Sequence, residues 1–226
     1  MKRIALLSII ALVVATPATA MADESLSGRD RRTLEQYAAD TWVSFEAMVY
    51  EETGLAADNI GGDLSPESRS RFTSPTNIGS YLWSALAARQ LKIISSREAG
   101  ERIATTLETL STLERHDPSG QFYNWYDPLT GDKLTVWPVD GSPVFPFLSS
   151  VDNGWLAAAL VMVRNAVPAV AEEATALLES MDFGYYYDPE ARGPDFGAGL
   201  LRGGFWADPP PGCFVADNYR GDIPDV

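Results

Sequence analysis

The sequence has very few of the residues that build metal sites and disulfides. Its 226 residues include one cysteine, Cys213, and one histidine, His116. A lone cysteine excludes an internal disulfide, and this pair cannot supply the usual structural zinc site. The sequence has no GxxxxGK phosphate loop, HExxH, GxSxG elbow or dinucleotide-binding glycine fingerprint. We therefore predict neither a metal ion nor a cofactor.

Basic residues are also scarce, with 17 Lys and Arg against 31 Asp and Glu and a net charge of −14. Because phosphate binding depends on Lys and Arg, this balance disfavours nucleic acids and anionic membrane surfaces as partners. Neutral ligands remain compatible with it.

The only long apolar run lies at the start of the chain, where residues 4–15 follow Lys2 and Arg3 and precede a stretch of small residues. This order is typical of a secretory signal peptide, which we predict over residues 1–22. The run is shorter than the roughly 20 residues of a membrane span. We expect residues 23–226 to form one domain of a secreted or periplasmic protein, with no membrane contact after signal cleavage.

Helical spacing of apolar residues recurs in five segments, residues 31–52, 76–91, 96–114, 153–166 and 170–181. The sequence shows no strand-rich region, although DPLTGDK at 127–133 predicts the turn of a short hairpin. Long connections rich in aromatic residues, proline and glycine separate the helices. We predict an all-α fold of stacked α-hairpins with the long aromatic loops on one face. The first helix is expected to bury Leu34, Tyr37, Ala38, Trp42, Phe45 and Val49.

The remaining candidates for chemistry are carboxylates and amides beside aromatic residues, as in FYNWYDP (122–128), SSVDNGW (149–155) and FGYYYDP (183–189). TSPTNIG (73–79) is similar, with an amide in place of the acid. Sugars offer hydroxyls around apolar C–H faces, so their sites combine aromatic platforms with such polar groups. Glycoside hydrolysis typically requires two carboxyl groups. Stacked hairpins would bring all four segments to one end.

Each of these residues also has a structural interpretation. Asp152 or Asn153 suits the N-cap of the fourth helix, and Asn77, with Thr76, suits that of the second. Asp127 and Asp188 precede prolines, where they favour turns. Two helical tryptophans, Trp83 and Trp155, are expected in the core. His116 lacks a serine or cysteine partner suited to catalysis and is expected to be a solvent-exposed structural residue.

Several motifs occur in one order: TGLAADNI (53–60), TSPTNIGSYLWSALAARQLKIIS (73–95), TLETLSTLER (106–115), GQFYNWYDPLTGDKL (120–134) and SSVDNGWLAAAL (149–160). Together they resemble the glucoamylase-like bacterial domain related to endo-β-1,2-glucanases and to the glycosidase-like part of cyclic β-1,2-glucan synthases. Related secreted proteins are classed as domains of unknown function. The resemblance covers about residues 33–225.

The resemblance implies an (α/α)6 toroid whose loops form a glycan cleft, with inverting chemistry on β-linked glucans. It places Asp152 in the catalytic pocket. A helix N-terminus stabilises a negative charge there, which suits a base. The resemblance also implies pocket-facing positions for Asn77, Trp125 and Asp127. We add four further candidate substrate-binding residues, Tyr81, Asn124, Asn153 and Trp206.

The chain departs from the family pattern because a full toroid has twelve helices and only five are predicted. In the family, a later Glu, a candidate general acid, follows the NYRGDIPDV type of segment. We therefore expect the N-terminal part of the domain: a secreted glycoside hydrolase-like domain acting on or binding a β-glucan. The alternatives are a glycan-binding module without hydrolytic activity and a helical protein whose incomplete face docks a partner.

Overall fold

The predicted helices are all present in the computed structural model, which describes residues 26–193 and 197–212. They are α1 (Gly28–Met48), α2 (Pro75–Gln90), α3 (Ser96–Thr112), α4 (Ser150–Ala166) and α5 (Ala171–Glu179). The all-α prediction is confirmed, and single-turn 3-10 helices occupy Pro66–Ser68, Pro168–Val170 and Phe183–Tyr186. The predicted signal peptide and Cys213 lie outside the described residues.

Serine residues cap α2 and α4, and they lie two to four positions before the polar residues predicted as caps. The Ser149 hydroxyl accepts a hydrogen bond from the Asp152 backbone N–H at 3.1 Å. The Ser74 hydroxyl accepts one from the Asn77 backbone N–H at 3.3 Å. The predicted caps were therefore wrong. Because the serines satisfy these first-turn donors, the side chains of Asp152 and Asn77 are not used for capping.

Short strands, which the sequence did not predict, form three two-stranded antiparallel sheets. The first pairs β1 (Val49–Tyr50) with β2 (Leu55–Ala56), the second pairs β3 (Phe147–Ser149) with β6 (Gly204–Trp206), and the third pairs β4 (Tyr187–Gly193) with β5 (Gly197–Leu201). Most of these strands are too short to show an alternating pattern. The turn predicted at 127–133 is present, with the Asp127 N–H donating to the Asp132 carbonyl oxygen at 2.8 Å.

Helices α2 and α4 lie side by side at the centre of the fold, and α1, α3 and α5 pack around them. Their contact faces are fully buried, with Ile78 and Leu82 on α2 and Leu156 and Leu160 on α4. No single helix within residues 26–193 and 197–212 is long and apolar enough to cross a membrane; Ser150–Ala166 and Pro168–Glu179 meet that test only as a pair bent by 119°.

Helix α1 contacts the core only through its second half. Trp42 is buried, whereas Leu34 and Tyr37 are 51% and 63% exposed. The predicted buried face was thus wrong for the first half of α1, and Val49 belongs to β1 rather than to the helix. Among the described residues, burial of α1 begins around Trp42, whose ring stacks on that of Tyr81.

Trp83 and Trp155 were expected in the core, and the structure contradicts this. Trp83 on α2 is 47% exposed and Trp155 on α4 is 49% exposed. Their indole rings stack on each other, with centroids 6.2 Å apart and planes 27° apart. They therefore occupy an open face of the α2–α4 pair.

Candidate functional site

The segment FYNWY (122–126) joins the beginnings of α2 and α4. Tyr126 and Thr73, just before α2, exchange two backbone hydrogen bonds of 2.9 and 3.1 Å. The Asn124 N–H donates to the Phe147 carbonyl oxygen, just before α4, at 2.9 Å. We call this end of the helix pair the loop end. It brings together TSPTNIG, FYNWYDP and SSVDNGW, and Tyr186 of the fourth predicted segment, FGYYYDP, donates to the Ser149 carbonyl oxygen at 3.2 Å.

Asn153 locks this segment to α4 and is itself fully buried. Its Oδ1 accepts from the Phe122 N–H at 2.9 Å, and its Nδ2 donates to the carbonyl oxygens of Phe122 and Ser149 at 3.0 and 2.9 Å. The described structure contradicts a substrate-binding role for Asn153, because its polar atoms are engaged and its surface is inaccessible. Its role is to position the loop.

Tyr81 is also too deeply buried to contact a ligand. It is 1% exposed, stacks on Trp42 and lies against Arg102 of α3. Burial raises the pKa of its hydroxyl, and the nearby Arg102 guanidinium opposes that rise. Tyr81 follows Asn77 by one helical turn but faces α1 and α3. The structure therefore contradicts its predicted role as a substrate-binding residue.

Asp152 lies in the first turn of α4, where it is partly buried. Among the described residues, no hydrogen bond or ion pair engages its carboxylate. The positive end of the helix dipole favours the negative charge there. Its neighbour Tyr186 has a raised pKa, caused first by burial, while the hydrogen bond with Asn153 opposes the rise and the charge of Asp152 adds to it. Asp152 is thus a carboxylate held by its backbone and open at its oxygens.

Four aromatic rings, from Trp125, Trp137, Phe145 and Trp206, line a cavity of about 200 Å³ that we call the aromatic pocket. Trp125 and Trp137 meet edge to face, with centroids 5.5 Å apart and planes at 73°. Trp206 meets Phe145 at 6.5 Å and 88°. The predicted Trp125 and Trp206 therefore share one cavity, although 80 residues separate them in the sequence.

Phe147 connects the aromatic pocket with the start of α4. Its ring lies 4.7 Å from that of Trp206 and 6.4 Å from that of Trp125, measured between centroids. Phe147 is the first residue of β3, which runs directly into α4 and Asp152. The aromatic pocket and the open carboxylate are consequently attached to the same short strand.

Sequence analysis missed Trp137 and Phe145 as site residues. They stand on either side of a turn in which the Trp137 N–H donates to the Ser142 carbonyl oxygen at 2.7 Å. The signal was present as alternating aromatic and proline residues in VWPVDGSPVFPF (136–147). Nothing in that pattern indicates which distant rings these two residues meet.

Asn77 pairs with another residue that sequence analysis did not single out. Its Nδ2 donates to Asp58 Oδ1 at 2.8 Å, at the start of α2. Asp58 lies in TGLAADNI, a segment used for the family resemblance. The pair places an amide and an exposed carboxylate at the loop end. Asn124 contributes a buried Oδ1 that has no hydrogen-bond partner within the described ranges.

Asp127 has the structural role that its Asp-Pro context favours. Its two oxygens accept from Arg71, at 2.5 Å from Nη2 and 3.3 Å from Nε. Oδ1 also accepts from the Leu129 N–H at 2.9 Å, which closes the turn. The carboxylate in turn raises the pKa of Arg71. The pairing gives Asp127 a structural role, and its role in substrate binding stays a prediction.

His116 differs from its prediction in two respects. It is half-buried rather than exposed, and its Nδ1 lies 2.8 Å from the Ser119 hydroxyl oxygen. Ser119 is fully buried, so its hydroxyl is inaccessible to a substrate. Within the described residues, no group of three His, Cys, Asp or Glu side chains could hold a metal ion.

The sequence also matches a known protein family. Residues 36–187 match the family described as "Protein of unknown function (DUF3131)". The chain belongs to this family. The match runs from within α1 to the first residue of β4, and so includes Asp152 and both Trp125 and Trp137.

The DUF3131 chain is also similar to larger proteins. It is 33% identical over 145 residues to the cyclic beta-(1,2)-glucan synthase NdvB of Rhizobium meliloti (strain 1021), covering 63% of this chain and 5% of the synthase. An endo-beta-1,2-glucanase from Chitinophaga pinensis, solved with sophorotriose and glucose, superposes with a TM-score of 0.55 at 18% identity, over 72% of this chain and 38% of the glucanase. A glucoamylase-like protein from Bacteroides fragilis NCTC 9343 gives 0.58 at 17% identity, over 80% and 44%.

These similarities establish the fold of the DUF3131 chain as the (α/α) glucoamylase-like type and confirm the family resemblance. The chain spans less than half the length of either structure and a small fraction of the synthase. The structural likeness, at these identities, concerns the fold alone.

Proposed function

We propose that this protein is an exported glycoside hydrolase-like domain that binds a β-1,2-linked glucan at the loop end of α2 and α4. The observation that carries the proposal is the junction at β3. Phe147 at its start contacts both Trp125 and Trp206 of the aromatic pocket, and Asp152 follows its end with an unengaged carboxylate.

The aromatic pocket suits one sugar ring. At about 200 Å³ it is smaller than the roughly 300–1,000 Å³ typical of sites for drug-sized ligands. Edge-to-face rings leave indole faces on which the C–H face of a pyranose can lie, and the carboxylate of Asp152 accepts hydrogen bonds from hydroxyls. The net charge of −14 favours a neutral ligand over an anionic one.

The linkage follows from the relatives. A cyclic beta-(1,2)-glucan synthase and an endo-beta-1,2-glucanase share sequence or fold with this chain. A β-1,2-linked glucan is the carbohydrate that both names contain, as the product of the synthase and the substrate of the glucanase. The charged, apolar and small-residue order of residues 1–22 supports export.

Recognition of the glucan is the function that the geometry supports best. In an inverting hydrolysis, Asp152 would be the base: it removes a proton from water, whose oxygen attacks the anomeric carbon as the glycosidic C–O bond breaks. A second carboxyl group must then protonate the leaving oxygen. Because we assign no such acid, hydrolysis is the second function to be tested, and binding is the first.

The test is calorimetric titration of the exported protein with sophorotriose, with chromatography of the products. We expect Trp206→Ala to weaken binding about tenfold or more and Asp152→Asn to weaken it several-fold. Glu172→Gln is the matched control, because Glu172 is an exposed carboxylate in the first turn of α5. Its affinity should equal that of the wild type.

Two results would overturn the proposal: no affinity of the wild type for any β-glucan, or binding that neither Trp206→Ala nor Asp152→Asn alters. Products released by the wild type and absent with Asp152→Asn would add hydrolysis to recognition. Export is checked separately, by the mass of the protein recovered outside the cytoplasm, which should begin near residue 23.

A further inference from the structure

The stacked pair Trp83 and Trp155, which we call the tryptophan platform, is separate from the aromatic pocket. No residue of the platform lines that pocket. Each indole is about half exposed, and their planes differ by only 27°. Large aromatic side chains are rarely left so open on the central helices of a fold.

Gly79 explains how two helices present the indoles together. A Cβ atom at this position would lie 3.0 Å from the Leu156 Cα and 3.0 Å from the Trp155 carbonyl oxygen. The absence of a side chain therefore lets α2 and α4 approach closely at this level. Trp83 follows Gly79 by one turn on α2, so the close crossing sets the two rings against each other.

The platform continues the face that carries the candidate carboxylate. Asp152 precedes Trp155 by three residues, and residues three apart on a helix lie on the same side. Helical side chains lean toward the N-terminus, which directs both indoles toward the loop end. Val151, 60% exposed, lies one turn before Trp155 on the same face.

We propose that the tryptophan platform is a second sugar-binding subsite, which receives a further glucose unit of a chain whose first units occupy the aromatic pocket and the region of Asp152. This inference rests on the proposed function. By helical spacing, the uncharged residues Val151 and Ala158 of α4 and Ser80 of α2 border the two indoles, which suits a neutral polymer with apolar C–H faces. The two stacked indole planes are nearly parallel, and a ring face left exposed can receive the C–H face of a sugar.

The test compares β-1,2-linked glucose oligomers of increasing length, from the disaccharide to the pentasaccharide. In the wild type, affinity should rise with length. Trp155→Ala and Trp83→Ala should each weaken binding of the pentasaccharide about tenfold and leave the disaccharide within about twofold. Trp206→Ala should weaken both. Tyr37→Ala, which removes an exposed ring from α1, is the matched control and should change neither.

A second measurement keeps the test valid if an alanine variant unfolds. In the wild type, the pentasaccharide should protect Trp83 and Trp155 from oxidation by N-bromosuccinimide, located by peptide mass, and the disaccharide should protect them less. Equal loss of affinity at every length, or oxidation of both indoles unaffected by the pentasaccharide, would overturn the platform and leave the proposed function standing.

Two other outcomes also contradict the platform. If the wild type binds no β-glucan, the proposed function fails, and this inference fails with it. If the wild type self-associates with concentration and Trp155→Ala abolishes the association, the platform is a protein contact instead.

Discussion

At the residue scale, His116 shows how one side chain joins the parts of the loop end. Its ring centroid lies 6.5, 6.1 and 5.4 Å from those of Tyr123, Tyr185 and Phe205. These residues belong to the FYNWY segment, the 3-10 helix Phe183–Tyr186 and β6, which also carries Trp206. Burial lowers the pKa of His116, and the nearby charge of Asp117 partly opposes that shift.

This lowered pKa predicts a pH dependence of stability. The unfolded chain binds a proton at His116 near pH 6.5, whereas the folded protein binds it only at lower pH. The free energy of unfolding should therefore fall as the pH drops through about 6.5, and this contribution should level off below the folded pKa. Urea unfolding between pH 7.5 and 5 measures it.

His116→Gln supplies the comparison, because no other histidine exists in the chain. Asp and Glu side chains contribute equally to both profiles, so the difference between the two proteins isolates His116. Identical pH profiles would show that the imidazole is not held neutral by its surroundings.

At the element scale, the helices could be predicted and their partners could not. Periodic apolar residues were enough to predict all five helices, although α1 buries its apolar face only in its second half. The predicted caps lay two to four residues too late, because Ser149 and Asp152 both suit an N-terminus and only the geometry decides between them. The exposure of Trp155 depends on what lies against α4, which local spacing does not record.

Some residues of the candidate site could likewise be predicted from local sequence, and others could not. Asp152 and Trp125 could be singled out from their own segments, because a carboxylate or aromatic ring at a helix boundary is a local pattern. Trp206 joins Trp125 only through the pairing of β3 with β6, a contact between distant segments. Asn153 was misassigned because it shares the local sequence context of Asp152. Its position one residue further along α4 directs its side chain into the core, where it is fully buried.

The crossing of α2 and α4 gives the element-scale prediction. Gly79→Ala should lower the free energy of unfolding by roughly 1–3 kcal/mol, because the added methyl meets the backbone of α4 at 3.0 Å. Gly100→Ala in α3 is the control: no atom lies within 4 Å of its added Cβ, so it should gain roughly 0.5–1 kcal/mol from helix propensity. Urea unfolding measures both changes.

The two variants should change the free energy of unfolding in opposite directions. The comparison is strict because both introduce the same residue in a helix interior. A gain in stability for Gly79→Ala would mean that α2 and α4 separate without cost. In that case Gly79 would not be what sets Trp83 against Trp155.

At the scale of the whole molecule, burial is concentrated in the α2–α4 pair and at the loop end. Backbone hydrogen bonds join Thr73, Tyr126 and Phe147 there, and Asn153 completes the connection from inside. The first half of α1 has no comparable support within residues 26–193 and 197–212. The molecule thus combines a rigid site region with a helix that is packed along only half its length.

This contrast predicts an uneven pattern of amide hydrogen exchange. Amides in residues 78–88 of α2 should be the slowest to exchange, because opening them exposes the core, and those in residues 32–38 of α1 should be among the fastest helical amides. Residues 42–48 of the same helix are the internal control and should be protected by the packing of Trp42. Exchange detected by mass spectrometry at neutral pH measures all three segments.

Uniform protection along α1 would show that another surface covers Leu34 and Tyr37 in solution. A dependence of that protection on protein concentration would identify the covering surface as a second copy of the chain.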